Sequence, residues 1–306
     1  MIELGFGVPT GGRWATPEAL VAVARRAESL GYHSVWTFQR LLYAERPRNQ
    51  YYGAPGGTWP DAFRSTLDPI AALTFVAAHT RRVRLGVSVL IMPFYAPVVL
   101  AKQLATLDVL SAGRVTVGLG TGWSLDEFHA VGAVTSERWA RADEFVRCLK
   151  AVWGDDPVVF EGRFYRVPVS RIAPKPIQKP HPPVLIGGYS DGAFRRAVTL
   201  GDGYTGGNIP LTALAALVAR LRDETARAGR DPAALPIVCR GAYHVTAESL
   251  GHDRRPLWGS VPQVREDIRR YAEAGVTGLF LDPNFQPGGP TLEGVLEQME
   301  ALAPER

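Results

Sequence analysis

The stretch Arg82 to Trp123, RVRLGVSVLIMPFYAPVVLAKQLATLDVLSAGRVTVGLGTGW, limits the folds open to this chain more than any other. Val83, Leu85, Val87 and Val89 alternate with Arg84, Gly86 and Ser88, which is the period of a strand. Pro97, Leu100, Ala101, Leu104 and Leu107 then recur at three- and four-residue spacing, one apolar stripe of a helix. Gly113 follows, where a residue able to take positive φ is wanted. Val115, Val117 and Leu119 make a second strand without a charge. Two strands joined through a helix lie parallel, because a tight hairpin cannot make that connection. The second strand runs into Gly118, Gly120 and Gly122, so its carboxyl end reads as bare backbone that a planar or anionic group can approach.

The same unit recurs along the chain. Strands are expected from Ile2 to Val8, His33 to Phe38, Val184 to Ile186, Gly203 to Thr205, Ile237 to Val245 and Gly278 to Leu281, besides the two above. Helices between them open on cap signals: Thr16-Pro17-Glu18, Asp68-Pro69, Ser190, and Ser260 with Gln263 three residues on. A short helix near Leu125, a longer one from Glu137 to Trp153, a stripe of Leu214, Leu217, Val218 and Leu221, and a last one of Leu292, Val295, Leu296, Met299 and Leu302 complete the set. Eight strands alternating with eight helices predict a closed (β/α)8 barrel, the TIM-barrel plan, over residues 1–306. A doubly wound sheet explains the count less well. It would also put a GxGxxG turn after the first strand, which Gly5, Gly7, Gly11 and Gly12 do not supply.

Two connections exceed the usual length. Residues 39–66 carry Tyr43, Tyr51, Tyr52, Trp59 and Phe63 and leave a strand's carboxyl end, so they are expected to overhang the barrel mouth as a lid that shapes a substrate pocket. Residues 155–183 read as a surface excursion, a small VVFEGRFYRV hairpin followed by the stiff, extended PKPIQKPHPP.

The net charge of +4, from 34 basic and 30 acidic residues, is too mild and scattered to suggest a nucleic-acid partner, yet it allows a basic lining around an anionic cofactor. Cys148 and Cys239 stand far apart without metal spacing; no metal site is expected, and Cys148, in a helix stripe, reads as a buried thiol. No apolar run reaches membrane-spanning length, and MIELGFGVP lacks the basic region of a signal peptide. A cytoplasmic location is the expectation.

In a barrel of this kind active sites gather where strands end. That rule singles out Gly7-Val8, Thr37 to Arg40, Ser88 to Leu90, Gly120 to Trp123, Gly187 to Ser190, Gly206-Gly207, His244 and Asp282. In Gly187-Gly188-Tyr189-Ser190 two glycines free backbone N–H groups, and Ser190 opens a helix whose amino end attracts anions, a candidate phosphate loop. Glycines that merely turn the chain are the plainer alternative. His244 reads equally as an acid or as a hydrogen-bonded core residue. Asp126 and Glu127 read as helix N-terminal capping, and His79 as a partner of a helix C-terminus.

LGVSVL, PVVLAKQLATLDVLSAGRVTVGLGTGWSLDEF, GYHSVW, PVLIGGYSDGAFRRAVTLGDGY and AGVTGLFLD together resemble the luciferase-like superfamily, specifically its coenzyme F420 (deazaflavin) branch. The resemblance implies phosphate binding at Gly187, Gly188 and Ser190, with Tyr189 in the same loop. It also implies a non-proline cis peptide at Ser88-Val89, bulging behind the deazaflavin ring. The strand ends at Gly7, Thr37, Gly120, Thr121 and Gly122 join these as expected cofactor contacts. Two departures stand out. Gln39 and Arg40 occupy the place of an Asp-His pair, and Trp123 that of a Glu found in sugar-phosphate oxidising relatives. Arg40, which cannot act as a base, is left to polarise a carbonyl or hold an anion, with Gln39 and His244 as the other catalytic candidates. The expected activity is F420-dependent hydride transfer to or from a small organic substrate, with reduction of an activated C=C or C=N bond preferred. FMNH2-dependent monooxygenation and non-catalytic flavin or deazaflavin binding are the alternatives, and a homodimer follows by analogy alone.

Overall fold

A computed structural model describes residues 2–53 and 57–305, and in it eight parallel strands close into a barrel. Four come first: β1 (Glu3–Gly7), β2 (Ser34–Thr37), β3 (Arg84–Ile91) and β4 (Val115–Gly120). A separate antiparallel hairpin, β5 (Val158–Glu161) with β6 (Arg166–Ser170), interrupts the series. The barrel resumes with β7 (Val184–Gly187), β8 (Gly203–Gly207) and β9 (Ile237–Ala242), passes a short pair, β10 (His244–Val245) with β11 (Trp258–Gly259), and ends at β12 (Gly278–Asp282). Closure is made where Glu3 to Phe6 pair with Gly278 to Leu281.

The helices form where the caps predicted them. Thr16 accepts the Ala19 amide at the start of α1 (Pro17–Leu30), and Asp68 accepts that of Ala71 at the start of α2 (Pro69–His79). Gly113 takes φ +79 after α3 (Pro97–Leu110). Next come α4 (Leu125–Ala130), α5 (Arg138–Trp153), α6 (Asp191–Thr199) and α7 (Leu211–Arg227). Ser260 and Gln263 cap reciprocally before α8 (Val261–Glu273), and α9 (Leu292–Ala301) ends the chain. Two boundaries differ from expectation. The strand read from Ile237 to Val245 breaks at Tyr243, and the helix read from Glu137 begins as a 3-10 turn, Thr135–Glu137.

Each barrel strand is buried on both faces, which is why these segments carry so few charges. Val35, Leu85, Val117, Ile186 and Leu279 belong to the core under the helices. The residues beside them in sequence point inward. Trp36, Leu185 and Phe280 pack with Val238 inside the barrel, Trp36 stacking on Phe280 at 4.7 Å between ring centroids. A packed floor therefore separates the two ends of the barrel interior. Cys148 is buried as expected, and burial pushes its thiol up to about 11.

The opposite end is closed by buried polar clasps. Arg114 donates to the carbonyls of Ala77, Thr80, Val83 and Ser111. The segment after β6, expected to be a surface excursion, reaches beneath the barrel. Gln178 donates there to Asp108 and to the Val115 carbonyl, and it accepts from Arg84. On the neighbouring edge Glu28 accepts the amides of Arg81, Arg82 and Val83. Burial alone would raise the Glu28 carboxyl, but these amides outweigh it and hold it below its ordinary value. A depressed carboxyl stabilises the fold above its unfolded pKa, about 4.3, and loses that contribution as pH falls through the folded value. Glu28→Gln should therefore cost about 1–3 kcal/mol at neutral pH. In urea titrations the gap between the two proteins should close as pH drops below about 4.

Among the described residues, no helix is long and apolar enough to cross a membrane, and no group of three or more His, Cys, Asp or Glu is placed to hold a metal.

Candidate active site

At the carboxyl end of β3 the Ser88-Val89 peptide is cis, and the register with β4 shifts between Val87 and Leu90. The bulge decides what the neighbouring glycines are for. A Cβ on Gly118 would stand 2.3 Å from the Val87 carbonyl oxygen, and one on Gly120 2.6 Å from Val89 Cγ2. The glycines of β4 are thus required by the bulge packed against them, which corrects the reading of them as open backbone. Val89 also lies against Gly187 of β7, so three strands meet at one side chain and form a flat shelf. Ser88 turns inward, its Oγ 3.1 Å from Thr205 Oγ1.

Beside the shelf the chain leaves β7 through Gly187 and Gly188. Gly188 adopts φ +133, a conformation strained for any side chain. Ser190 then caps α6, its Oγ accepting from Ala193. The first-turn amide of Gly192 has no carbonyl within the helix to bond, whereas that of Asp191 is met by its own carboxylate. Tyr189 crosses to the end of β8, where its hydroxyl accepts the Gly207 amide at 2.9 Å and donates to the Gly207 carbonyl.

Of the remaining expected contacts, Gly7 abuts Asp282, whose Oδ1 would be 2.8 Å from a Cβ there. Thr37 is buried with its Oγ1 toward the Gly86 carbonyl. Thr121 and Gly122 follow β4, and Gly122 at φ +78 packs on Ile91 and Phe128. These positions shape the mouth by close packing.

The three catalytic candidates each stand in a different setting. Both ends of the Gln39 amide are committed: Oε1 accepts from Ile91 at 2.7 Å, and Nε2 donates to the Tyr95 hydroxyl. Gln39 therefore pins the strand end beyond the bulge. Arg40 is turned into the base of the lid. Its guanidinium lies 5.2 Å over Phe63 and 4.9 Å over Trp123, and its Nη1 meets Glu127 Oε2 at 3.0 Å. The other Glu127 oxygen accepts the Leu41 amide at 2.7 Å. Burial lowers the Arg40 pKa and raises that of Glu127, each opposed by the partner's charge. Glu127 is thus a buried counter-ion, which corrects its reading as a capping residue. Asp126 likewise faces the lid, accepting the Arg48 amide. His244 sits on β10, its ring 5.2 Å from Trp258, with no hydrogen bond to Nδ1, and it does not line the cavity described next.

That cavity, of about 1440 Å³, opens between the lid and the loops after β1, β8, β9 and β12. Tyr51, Tyr52, Pro60 and Ala62 of the lid form one wall; residues 54–56 lie outside the described part. Trp14, Trp258 and Phe285 form the others. The rest of the lid is anchored by an aromatic cluster of Phe38, Tyr51, Trp59 and Phe63 with Trp123 and Phe285.

The pattern of strand ends did not single out Arg240. On β9, Ile237, Cys239 and Gly241 face the helices, so Arg240 projects inside the barrel, one layer above Val238. Its Nε stands 3.9 Å from Asp282 Oδ2. Burial alone would lower its pKa, but Tyr51 and Asp282 outweigh that and hold it above the ordinary value. Burial raises the Asp282 carboxyl, against the pull of Arg240 and of Asn284. A lone cation inside the apolar strand IVCRGA was the signal that could have found it.

The model of a family described as luciferase-like monooxygenase matches residues 3–250. An uncharacterized protein of Mycobacterium tuberculosis is 31% identical over 280 residues, 90% of each chain. An F420-dependent glucose-6-phosphate dehydrogenase of Kineococcus radiotolerans is 34% identical over 205 residues, covering 66% of this chain and 56% of its own. An FMNH2-dependent dimethylsulfone monooxygenase of Pseudomonas putida is 39% identical over 135 residues, 43% of this chain and 37% of its own. Among solved structures, monooxygenase RslO1 from Streptomyces bottropensis superposes with a TM-score of 0.82 at 23% identity, covering 99% of this chain and 98% of that one.

Proposed function

This chain belongs to the luciferase-like monooxygenase family, and from that premise we propose that it is a coenzyme F420-dependent oxidoreductase acting on a small organic substrate. The observation that carries the proposal is the adjacency of the Val89 shelf and the Gly187-to-Ser190 turn. The residues present fit a flat ring with a phosphate tail. The shelf offers a surface free of charged groups, and the turn offers Gly188 in a backbone conformation that brings an unpaired helix amide to the mouth. Bound there, a deazaflavin supplies a carbon centre that gives or takes a hydride. The chain's own part is positioning: Val89 with its flanking glycines orients the ring, Gln39 fixes the strand end behind it, and the aromatic lid keeps water from the cavity.

Reduction is the favoured direction, since Arg40 and Glu127 are locked together and neither is left to take a proton from an alcohol. The longer alignment with the F420-dependent dehydrogenase supports the deazaflavin over FMN. Trp123 and Arg40, spent on packing the lid, and Gln39, spent on holding the end of β3, argue against a sugar phosphate as substrate. FMNH2-dependent monooxygenation is the second reading, favoured by the shorter but more identical match. Spectral titration of the pure protein separates them: micromolar affinity for F420 is expected, and micromolar affinity for FMN with none for F420 would reverse the choice.

The proposal extends to a homodimer. The outer faces of α2 and α3 expose Phe75, Val99, Val109 and Leu110, an apolar set without partner in the single chain. Sedimentation should give a dimer that Leu110→Glu converts to monomer; an unchanged sedimentation coefficient would remove this face from consideration.

A further inference from the structure

Six aromatic side chains from five separate segments line the cavity under the lid: Trp14, Tyr51, Tyr52, Trp258, Tyr271 and Phe285. Most of their polar atoms are already engaged within the protein. Trp14 donates to the Asn284 side chain at 3.3 Å, Trp258 to the Ala242 carbonyl at 3.1 Å, and Tyr271 to the Ile209 carbonyl at 3.3 Å. The Tyr51 hydroxyl accepts from Arg240. Asn284, also in the wall, is filled as well. Its oxygen accepts the amides of Thr10 and Gly11, and its own amide donates to the Val8 carbonyl and to Asp282. What these residues offer to the cavity is ring and hydrocarbon surface.

The charges of the wall stand apart from this surface. Arg13, Asp61, Arg64 and Arg255 are all exposed residues at the outer rim. Arg64 donates to Asp61, and Arg255 lies 5.0 Å over the ring of Trp258. A charged group carried into the interior would therefore lose its hydration without gaining a counter-ion. Tyr52 points to the opposite kind of ligand. Its ring meets Trp123 edge-on, 6.0 Å between centroids, and is still 69% exposed. An aromatic face left that open in a concave wall is surface for a ligand to cover. The space, about 1440 Å³, also exceeds the usual small-ligand range of about 300–1,000 Å³.

We propose that this cavity binds a bulky, uncharged, fused-ring aromatic molecule, laid between Tyr52 of the lid and the wall of Trp14, Trp258 and Phe285. Rings that meet edge-to-face or offset gain more than the area they bury accounts for. A rigid planar body also gives up no internal rotation on binding, whereas an alkyl chain of the same size does. That the molecule is the substrate rests on the function proposed above; the binding site does not. Tyr51 and Tyr52 both pack on Trp123, which closely follows the β4 end of the shelf, so the lid wall borders the strand that carries it.

The probe is 9-anthracenemethanol, titrated into the full-length protein and read by energy transfer from tryptophan, Trp14 and Trp258 being in the wall. It should bind more tightly than 9-anthracenecarboxylate by about tenfold or more, because only the carboxylate must shed the hydration of a charge. It should also outbind the linear alcohol 1-dodecanol, measured by displacement, by about tenfold or more. Tyr52→Ala, a change at an exposed position, should weaken the anthracene alcohol about tenfold. Tyr52→Phe should keep wild-type affinity, since the ring is used and the hydroxyl is not. No binding of the anthracene alcohol, equal binding of the carboxylate, or equal displacement by dodecanol would each overturn the proposal. So would an alanine variant that binds as the wild type does, or a phenylalanine variant as weak as the alanine one. F420 titrated into the wild type in parallel keeps the two readings apart. If F420 does not bind while the anthracene preference is present, the cofactor reading fails and the aromatic site stands; F420 binding without the anthracene alcohol gives the reverse.

Discussion

Glu127→Ala should be the most damaging single change outside the barrel core, costing about 3–5 kcal/mol. The carboxylate is 1% exposed and the Arg40 guanidinium it faces 6% exposed, so removing it leaves a buried cation with no counter-ion. The Leu41 amide loses its acceptor in the same step. Stacking of Arg40 between Phe63 and Trp123 offsets only part of this, since a cation–π contact is worth about 0.5–2 kcal/mol. The loss should be concentrated in the lid, because the pair joins α4 to the start of residues 39–66. Limited proteolysis within that segment should accelerate well before the barrel melts. Replacing both partners, Arg40→Met with Glu127→Leu, should recover part of the loss, since both desolvation penalties go together while the Leu41 amide stays without its acceptor. A double variant as weak as the single one would show that the pair does more than hold the lid.

Gly118→Ala should be the most damaging change at the shelf. Its added Cβ would fall 2.3 Å from the Val87 carbonyl oxygen, a backbone atom that cannot rotate away. The β3–β4 ladder must open or the bulge must move, at a cost of about 1–3 kcal/mol in stability. Affinity for whichever cofactor binds should fall by roughly 100-fold, the equivalent of about 2.7 kcal/mol. Gly132→Ala is the control: that glycine also has positive φ, but nothing lies within 4 Å of its Cβ, so it should cost stability without touching the cofactor. A Gly118→Ala protein that binds cofactor normally would remove the shelf from the site.

The barrel was legible because its signals are local. Thr16, Asp68, Ser190 and Ser260 mark helix starts with side chains that bond amides two or three residues on, and no distant contact is needed to recognise them. Strand alternation likewise survives any packing. What misled was every residue whose partner is remote in the chain. Glu127 reads as a helix cap because Asp and Glu at a helix start usually are caps; its partner lies 87 residues away. Gly118 and Gly120 read as open backbone because a missing side chain does not say what fills its place. His244 reads as the end of a strand because Tyr243 gives no local sign that the chain leaves the sheet there.

Periodicity and capping in the amino-acid order were thus enough to determine eight parallel strands and the glycine turn before α6. Tertiary structure alone decided which charges are spent and which are free. It buried Arg40 against Glu127 beneath residues 39–66 and set Arg240 inside the barrel beside Asp282, although both are arginines near strand ends. The free energy of a buried charge depends on what stands within a few ångströms of it, and that neighbourhood is assembled from segments far apart in the chain.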